Sequence, residues 1–141
     1  MPRYERALVI FLRVIGAAGV LAIFAAVMPA SWMTATHEWL GLGAMPTDPI
    51  VVYLARSTSL FYAAFGGLAI LVSFDLRRHR AVVSYLAACT IAVGAVLGVA
   101  DHLCGLPLWW SVSEGVTTVA MGVVLLALQR AAGGPRDDLA A

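Results

Sequence analysis

Residues 49–80 read PIVVYLARSTSLFYAAFGGLAILVSFDLRRHR, and this stretch decides the fold. About 20 consecutive apolar residues cross the hydrocarbon of a bilayer as a helix, because each residue advances the helix by about 1.5 Å and every main-chain amide is bonded internally. Residues 50–74 meet that length, with Arg56 inside the run and a basic cluster after it. The stretch therefore predicts a membrane-spanning helix whose one charged residue needs a partner.

The composition of the whole chain is that of an integral membrane protein. Of its 141 residues, 62% are hydrophobic and 12% are charged, which departs strongly from soluble proteins. This length predicts a single domain over residues 1–141. The net charge of +1 comes without a long basic patch that could follow phosphates, so nucleic acid is excluded as a partner. All basic residues are arginines, a composition typical of GC-rich bacterial genomes.

Four apolar runs predict an all-α membrane protein, an antiparallel bundle of four transmembrane helices. The predicted spans are about 7–28, 50–74, 81–101 and 107–129, followed by a mobile tail over 131–141. The first run has some features of a signal peptide, but its length and the interrupting Arg13 favour an uncleaved helix. Arg13 is expected to reach the membrane surface, with Asp75 as its candidate partner.

The first outer loop predicts a short interfacial helix at about 32–40. At 100° per residue Trp32 and Trp39 share one face, which suits rings that lie at headgroup level. Ser31 is expected to cap this helix and Gly41 to end it. Trp109 and Trp110 mark the same interface at the start of the fourth span.

Arginine placement predicts the orientation of the chain. Eight of the nine arginines lie at the N-terminus, in the middle loop or near the C-terminus, and the two other loops contain none. By the positive-inside rule, both termini face the cytoplasm of a bacterial inner membrane. The Gly94-x-x-x-Gly98 pattern in the third span further predicts close helix packing.

Three charged residues are predicted at a similar depth, in the outer third of the bundle. Arg56 lies seven residues after Pro49 and Glu114 seven residues after Pro107, while Asp101 ends the third span. The predicted polar cluster has these members: Arg56, Asp101, Glu114, Tyr53, His102, Ser59 and Ser111.

This polar cluster has two interpretations. It is either a structural ion pair that fixes helix register or a polar pocket for a head group, a quinone or a small anion. Ligand count alone makes His37, His102 and Cys104 candidate metal ligands, but their spacing matches no standard site. No catalytic motif accompanies them, so no catalytic residue is assigned.

The overall plan resembles the small DoxX-like family of bacterial inner-membrane proteins. Four spans in about this length, the arginine of Leu54-Ala55-Arg56 before Gly66-Gly67, and a basic inner loop are similar to that family. The outer segment from Trp32 to Pro49 departs from it. The resemblance implies a redox role with a quinone as cofactor, because some members are tied to quinone-linked sulfur or thiol oxidation.

Two function classes follow from these features. The favoured one is an accessory or scaffold subunit of a membrane assembly, with lipid, other subunits or further copies of the chain as partners. The alternative is a DoxX-like protein that binds a quinone, a lipid or another small ligand at the polar cluster. An enzyme is disfavoured, because few titratable groups converge.

Overall fold

The computed structural model describes residues 2–133, and within that range the chain is helical and contains no strand. This confirms the predicted all-α class. The helices in chain order are α1 (Arg3–Leu21), α2 (Ile23–Val27), α3 (Ala30–Trp39), α4 (Pro49–Val72), α5 (Arg80–Leu103), α6 (Leu108–Ser111), a π-helix (Val112–Val116) and α7 (Thr117–Ala132).

Four helical stretches are long and apolar enough to cross a membrane, which supports a multi-pass membrane protein. They are Arg3–Val27, Pro49–Val72, Arg80–Leu103 and Leu108–Ala132. The first of these stretches combines α1 with α2, and the last combines α6, the π-helix and α7. Of the tail predicted over 131–141, α7 includes Ala132 and residues 134–141 lie outside the described residues.

The described chain divides into two compact units, residues 2–13 with 71–133 and residues 14–70. Each unit contains one close pair of helices, described below. The predicted four-helix bundle and the predicted single domain both concern how the two units are arranged. Both therefore stay predictions. The cytoplasmic placement of the termini stays a prediction as well.

In the unit of residues 14–70, glycines let α1 and α4 approach backbone to backbone. A Cβ atom built on Gly66 would lie 2.7 Å from the Val20 nitrogen, and one built on Gly19 would lie 3.0 Å from the Gly66 Cα. One built on Gly16 would lie 3.2 Å from the Ile70 nitrogen. Residue numbers rise along α1 as they fall along α4, so the two helices are antiparallel.

In the other unit, α5 and the helices after it form an antiparallel hairpin with equally close contacts. Backbone approaches join Gly122 to Ala87, Gly94 to Val119 and Gly98 to Gly115. The predicted close packing through Gly94 and Gly98 is thereby confirmed.

A buried amide fixes the end of this hairpin where α5 begins. The Gln129 Nε2 donates to the Arg80 carbonyl oxygen at 2.7 Å and to the Ser84 Oγ at 2.8 Å. Gln129 is buried, so these bonds satisfy a donor that would otherwise be stranded away from water. They tie α7 to the first turn of α5.

Two glycines with positive φ end α3 and α5 in the same way. Gly41 has φ 73° and Gly105 has φ 71°, and each is followed by an amide that bonds back five residues, Leu42 to the His37 carbonyl and Leu106 to the Asp101 carbonyl. These are Schellman caps, which confirm Gly41 as the residue that ends α3, the helix predicted to be interfacial. The predicted Ser31 cap is wrong, because α3 begins at Ala30 after Pro29 and Ser31 lies inside it.

Arg13 has partners other than the expected Asp75. Its Nε donates to the Ser73 Oγ at 3.2 Å, and its guanidinium lies 5.1 Å from the centre of the Phe74 ring. Asp75 instead accepts the Arg78 main-chain N–H at 3.1 Å. Two residues just beyond the end of α4 therefore hold the Arg13 side chain.

Candidate functional site

The hairpin of α5 with α6, the π-helix and α7 carries a shallow, open cleft of about 610 Å³ on its surface. Its walls are apolar apart from His102 and Ser111, which lie at the end near the α5–α6 turn. The lining residues are Gly94, Ala95, Gly98, Val99, His102, Leu106, Leu108, Ser111, Val112, Gly115, Val116 and Val119. Small-molecule sites have volumes in this range and apolar walls with few polar groups, but they are usually more enclosed than this cleft.

Glycines at the helix contact account for the shape of the cleft. A Cβ atom on Gly94 would lie 2.7 Å from the Val119 nitrogen, and one on Gly115 would lie 2.8 Å from the Gly98 Cα. At Gly98 itself, an added Cβ would meet only the Gly115 Cα, at 3.7 Å. The backbones therefore touch on one side of these glycines, while Gly98 leaves room on the cleft side.

The π-helix forms part of the wall and carries Glu114. Its wider turn inserts an additional residue into the helix, and such insertions are frequent at functional sites. The Trp110 Nε1 donates to the Glu114 Oε2 at 2.9 Å, and the Ser113 Oγ donates to the Trp110 carbonyl oxygen at 2.8 Å. The bond from Trp110 holds the Glu114 carboxylate against its own helix, and Glu114 itself does not line the cleft.

Asp101 does not line the cleft, but it is the most deeply buried of the predicted site residues. It is 6% exposed, and its Oδ2 accepts no hydrogen bond from any part of the chain that the structure describes. Its neighbour His102 and, three residues earlier, Gly98 both line the cleft. An unsatisfied buried carboxylate oxygen is costly, so it requires an explanation.

The remaining members of the predicted polar cluster belong to the unit of residues 14–70. Arg56 is exposed, and its Nη2 donates to the Met28 carbonyl oxygen at 3.3 Å. The Ser59 Oγ donates to the Ala55 carbonyl oxygen at 2.8 Å, and Tyr53 is exposed. Each of these side chains except Tyr53 thus has a main-chain partner nearby.

The structure therefore groups part of the predicted cluster. His102 and Ser111 line one cleft, whereas Asp101 and Glu114 lie on the same helices but do not line it. An ion pair between Arg56 and either carboxylate would join the two units and stays a prediction. Neither the cleft nor the π-helix is predicted from the sequence. The Gly94-x-x-x-Gly98 pattern was the one signal that pointed to this place.

The predicted interfacial and metal-binding residues occupy the turns and helix ends. Trp109 and Trp110 pack edge to face, with ring centres 5.5 Å apart. His37 forms a hydrogen bond between its Nδ1 and the Gly43 carbonyl oxygen at 2.9 Å, and Cys104 is exposed. No group of three or more His, Cys, Asp or Glu residues that could hold a metal ion occurs within residues 2–133.

Comparisons of the chain with protein-family models, with curated proteins and with solved structures find no match.

Proposed function

We propose that this protein is a multi-pass protein of the bacterial inner membrane that binds an amphiphilic small molecule, a lipid or a quinone, in the cleft beside the π-helix. The membrane location is supported by four helices of sufficient length and apolarity. The observation that carries the binding proposal is the cleft itself. It has about 610 Å³ of apolar space, with His102 and Ser111 at one end.

The orientation that we propose places both ends of such a ligand in suitable surroundings. With both termini in the cytoplasm, the α5–α6 turn lies at the outer interface, where Trp109 and Trp110 sit at headgroup level. The polar end of the cleft then has the same depth as lipid head groups, and its apolar walls have the depth of the acyl chains. An amphiphile could enter sideways from the bilayer without exposing its apolar part to water.

The side chains of the cleft suit binding and orientation rather than covalent chemistry. His102 offers a ring nitrogen and Ser111 a hydroxyl, and both can form hydrogen bonds with the head of a ligand. The walls contribute van der Waals contact with the apolar body of the ligand, in place of the lipid tails that they would otherwise contact. A redox role of the DoxX-like kind would require the bound molecule to be a quinone, whose carbonyl oxygens would accept bonds from these two residues.

An accessory or scaffold role in a larger membrane assembly is the second candidate. It is favoured by the exposure of two large aromatic residues on α3, Trp39 at 83% and Trp32 at 65%. Tryptophan is among the residues that most often dominate the energy of protein interfaces. The same rings would also suit a helix that rests on lipid.

Native mass spectrometry of the protein, extracted gently from its own membranes, separates the two candidates. The ligand proposal expects the chain, alone or as a homo-oligomer, to carry a small molecule in stoichiometric amount. Stoichiometric partner subunits with an empty chain would contradict it and favour the accessory role. A chain with neither partner nor small molecule would contradict both.

A further inference from the structure

The unit formed by residues 2–13 and 71–133 carries most of its charged residues at one end. There α1 begins at Arg3, α5 begins at Arg80, and α7 ends two residues after Arg130. Together with the turn between α4 and α5, these helix ends contain six arginines and two carboxylates, so their net charge is strongly positive. We call this region the basic end, and its charged residues are Arg3, Arg6, Arg77, Arg78, Arg80, Arg130, Glu5 and Asp75.

Contacts between three segments hold the basic end together. The Arg77 Nε lies 3.8 Å from the Glu5 Oε1, which joins the turn before α5 to α1. The Gln129 Nε2 donates to the Arg80 carbonyl oxygen at 2.7 Å, and the Arg80 guanidinium packs against Gly133. The starts of α1 and α5 and the end of α7 therefore meet at the same end of this unit.

Four of the arginines are available to a partner outside the chain. Arg6, Arg78 and Arg130 are exposed, and their guanidinium groups have no hydrogen-bond or ion-pair partner among residues 2–133. The Arg77 side chain is 86% exposed, although it lies near Glu5. The planar guanidinium group binds phosphate through two parallel N–H donors. The basic end thus suits an anion that contains phosphate.

Exposed apolar side chains continue from these arginines along the membrane-spanning helices. Ile10 lies four residues after Arg6 and is 55% exposed, and Val123 lies seven residues before Arg130 and is 51% exposed. Residues separated by four or seven positions share one face of a helix, so each apolar side chain lies below an arginine. A free phosphate or a nucleic acid would leave these faces uncovered. A phospholipid offers a phosphate to the arginine and acyl chains to the face below it.

We infer that the basic end binds anionic phospholipids in preference to zwitterionic ones. The head-group phosphates lie at Arg6, Arg77, Arg78 and Arg130, and the acyl chains follow the exposed faces of α1 and α7. A zwitterionic head group brings an ammonium group with its phosphate, and the net positive charge of the basic end repels that ammonium. This inference goes beyond the proposed function, because it uses neither the cleft nor the ligand of the cleft.

The test is a competition between two lipids with identical acyl chains, phosphatidylglycerol and phosphatidylcholine. The full chain is placed in nanodiscs that contain equal amounts of both and is released in a native mass spectrometer, where the retained lipids are counted. We expect phosphatidylglycerol to exceed phosphatidylcholine about fivefold, the preference that one arginine near the membrane surface provides. Inorganic phosphate, compared with chloride at equal ionic strength, should leave this ratio unchanged because it has no acyl chains.

Paired substitutions locate the preference. The double variant Arg77→Gln with Arg78→Gln neutralises the turn, and Arg6→Gln with Arg130→Gln neutralises the two helices. Each should lower the ratio at least twofold. Arg77→Lys with Arg78→Lys keeps the charge and should retain most of the preference. Arg56→Gln is the matched control, because it removes an exposed arginine from the unit of residues 14–70 and should leave the ratio unchanged. Circular dichroism and gel filtration identify any variant that fails to fold.

Each outcome decides the inference. A preference for phosphatidylglycerol that a double glutamine variant lowers and Arg56→Gln preserves would support it. Equal retention, a preference for phosphatidylcholine, or a preference that neither double glutamine variant lowers would overturn it, as would an equal loss in Arg56→Gln. Displacement of the lipid by inorganic phosphate would also overturn it. A preference that the cleft-filling Ala95→Phe abolishes would place the lipid in the cleft, which refutes this inference and supports the proposed function.

Discussion

The guanidinium of Arg56 donates a hydrogen bond to the main-chain carbonyl oxygen of Met28 at 3.3 Å. Met28 follows the last residue of α2 and is itself followed by Pro29, which has no N–H with which to continue the helix. The carbonyls at a helix C-terminus lack intrahelical partners and carry partial negative charge. Arg56 thus supplies both a donor and a positive charge where the first membrane-spanning stretch ends.

Arg56→Ala should therefore weaken the junction of α2 and α3 without unfolding the chain. The hydrogen bond is exposed, so we expect the free energy of unfolding to fall by about 1 kcal/mol or less. Arg56→Lys keeps a charged donor and should retain part of that stability. Unfolding in detergent, followed by circular dichroism, measures both variants. Complete loss of folded protein in Arg56→Ala would instead show that Arg56 has the buried ion-pair role of the first interpretation.

Gly66 and Gly67 are neighbours in α4 with opposite surroundings. A Cβ atom on Gly66 would lie 2.7 Å from the Val20 nitrogen, whereas one on Gly67 would meet nothing within 4 Å. Gly66→Ala should thus force α1 and α4 apart and cost about 1–3 kcal/mol. Gly67→Ala should be neutral or slightly stabilising, because alanine favours helices. Thermal unfolding of the two variants side by side tests this, and equal effects would refute the antiparallel contact.

Gly94 and Gly98 form a second matched pair, four residues apart on α5. Gly94→Ala would place its methyl group 2.7 Å from the Val119 nitrogen, while at Gly98 the nearest atom is 3.7 Å away. We expect Gly94→Ala to lower the free energy of unfolding by about 1–3 kcal/mol and Gly98→Ala to change it little. The same unfolding assay applies. A greater loss in Gly98→Ala would contradict the described packing and the position of the cleft.

The sequence predicted the positions of the helices well but the contacts of individual side chains poorly. Apolar length and proline placement were sufficient for the four spans, because a bilayer permits few alternatives for the backbone. Gly41 was sufficient for the end of the interfacial helix, since a cap with positive φ favours glycine. The partner of Arg13 could not be found in the same way. A long arginine can reach several groups, and Ser73 and Phe74 compete with Asp75 within one turn of chain.

The candidate site was only partly visible for a related reason. Depth along each helix can be counted from a proline, and this placed Arg56 and Glu114 at a similar level, with Asp101 at the end of its own span. Whether they share a cleft depends on rotation about the helix axis, which the π-helix changes locally by an additional residue. The segment VSEGV has no composition that marks a π-helix. The cleft is defined by the contacts between the helices, and these contacts cannot be derived from a single sequence.

The proposed orientation can be tested with a cysteine of the chain itself. Cys104 is exposed and lies at the α5–α6 turn, which positive-inside placement puts outside the cytoplasm. In a Cys89→Ser background, a membrane-impermeant maleimide added to spheroplasts should label Cys104. In a cysteine-free background, Arg77→Cys should react only after permeabilisation, because Arg77 lies in the basic loop. Labelling of position 77 but not 104 in sealed spheroplasts would invert the topology.

The measurement that tests the central claim most directly is photolabelling of the protein in its membrane. A diazirine-bearing amphiphile is activated by light, and the labelled residues are mapped by mass spectrometry. The cleft predicts labels concentrated between Gly94 and Val119, reduced by Ala95→Phe, which fills the cleft. Ala92→Phe makes the same substitution at an exposed position of α5 that does not line the cleft, and it should leave the labelling unchanged. Labels spread evenly over the exposed faces of all four spans, or equal effects of the two variants, would contradict the existence of a binding cleft.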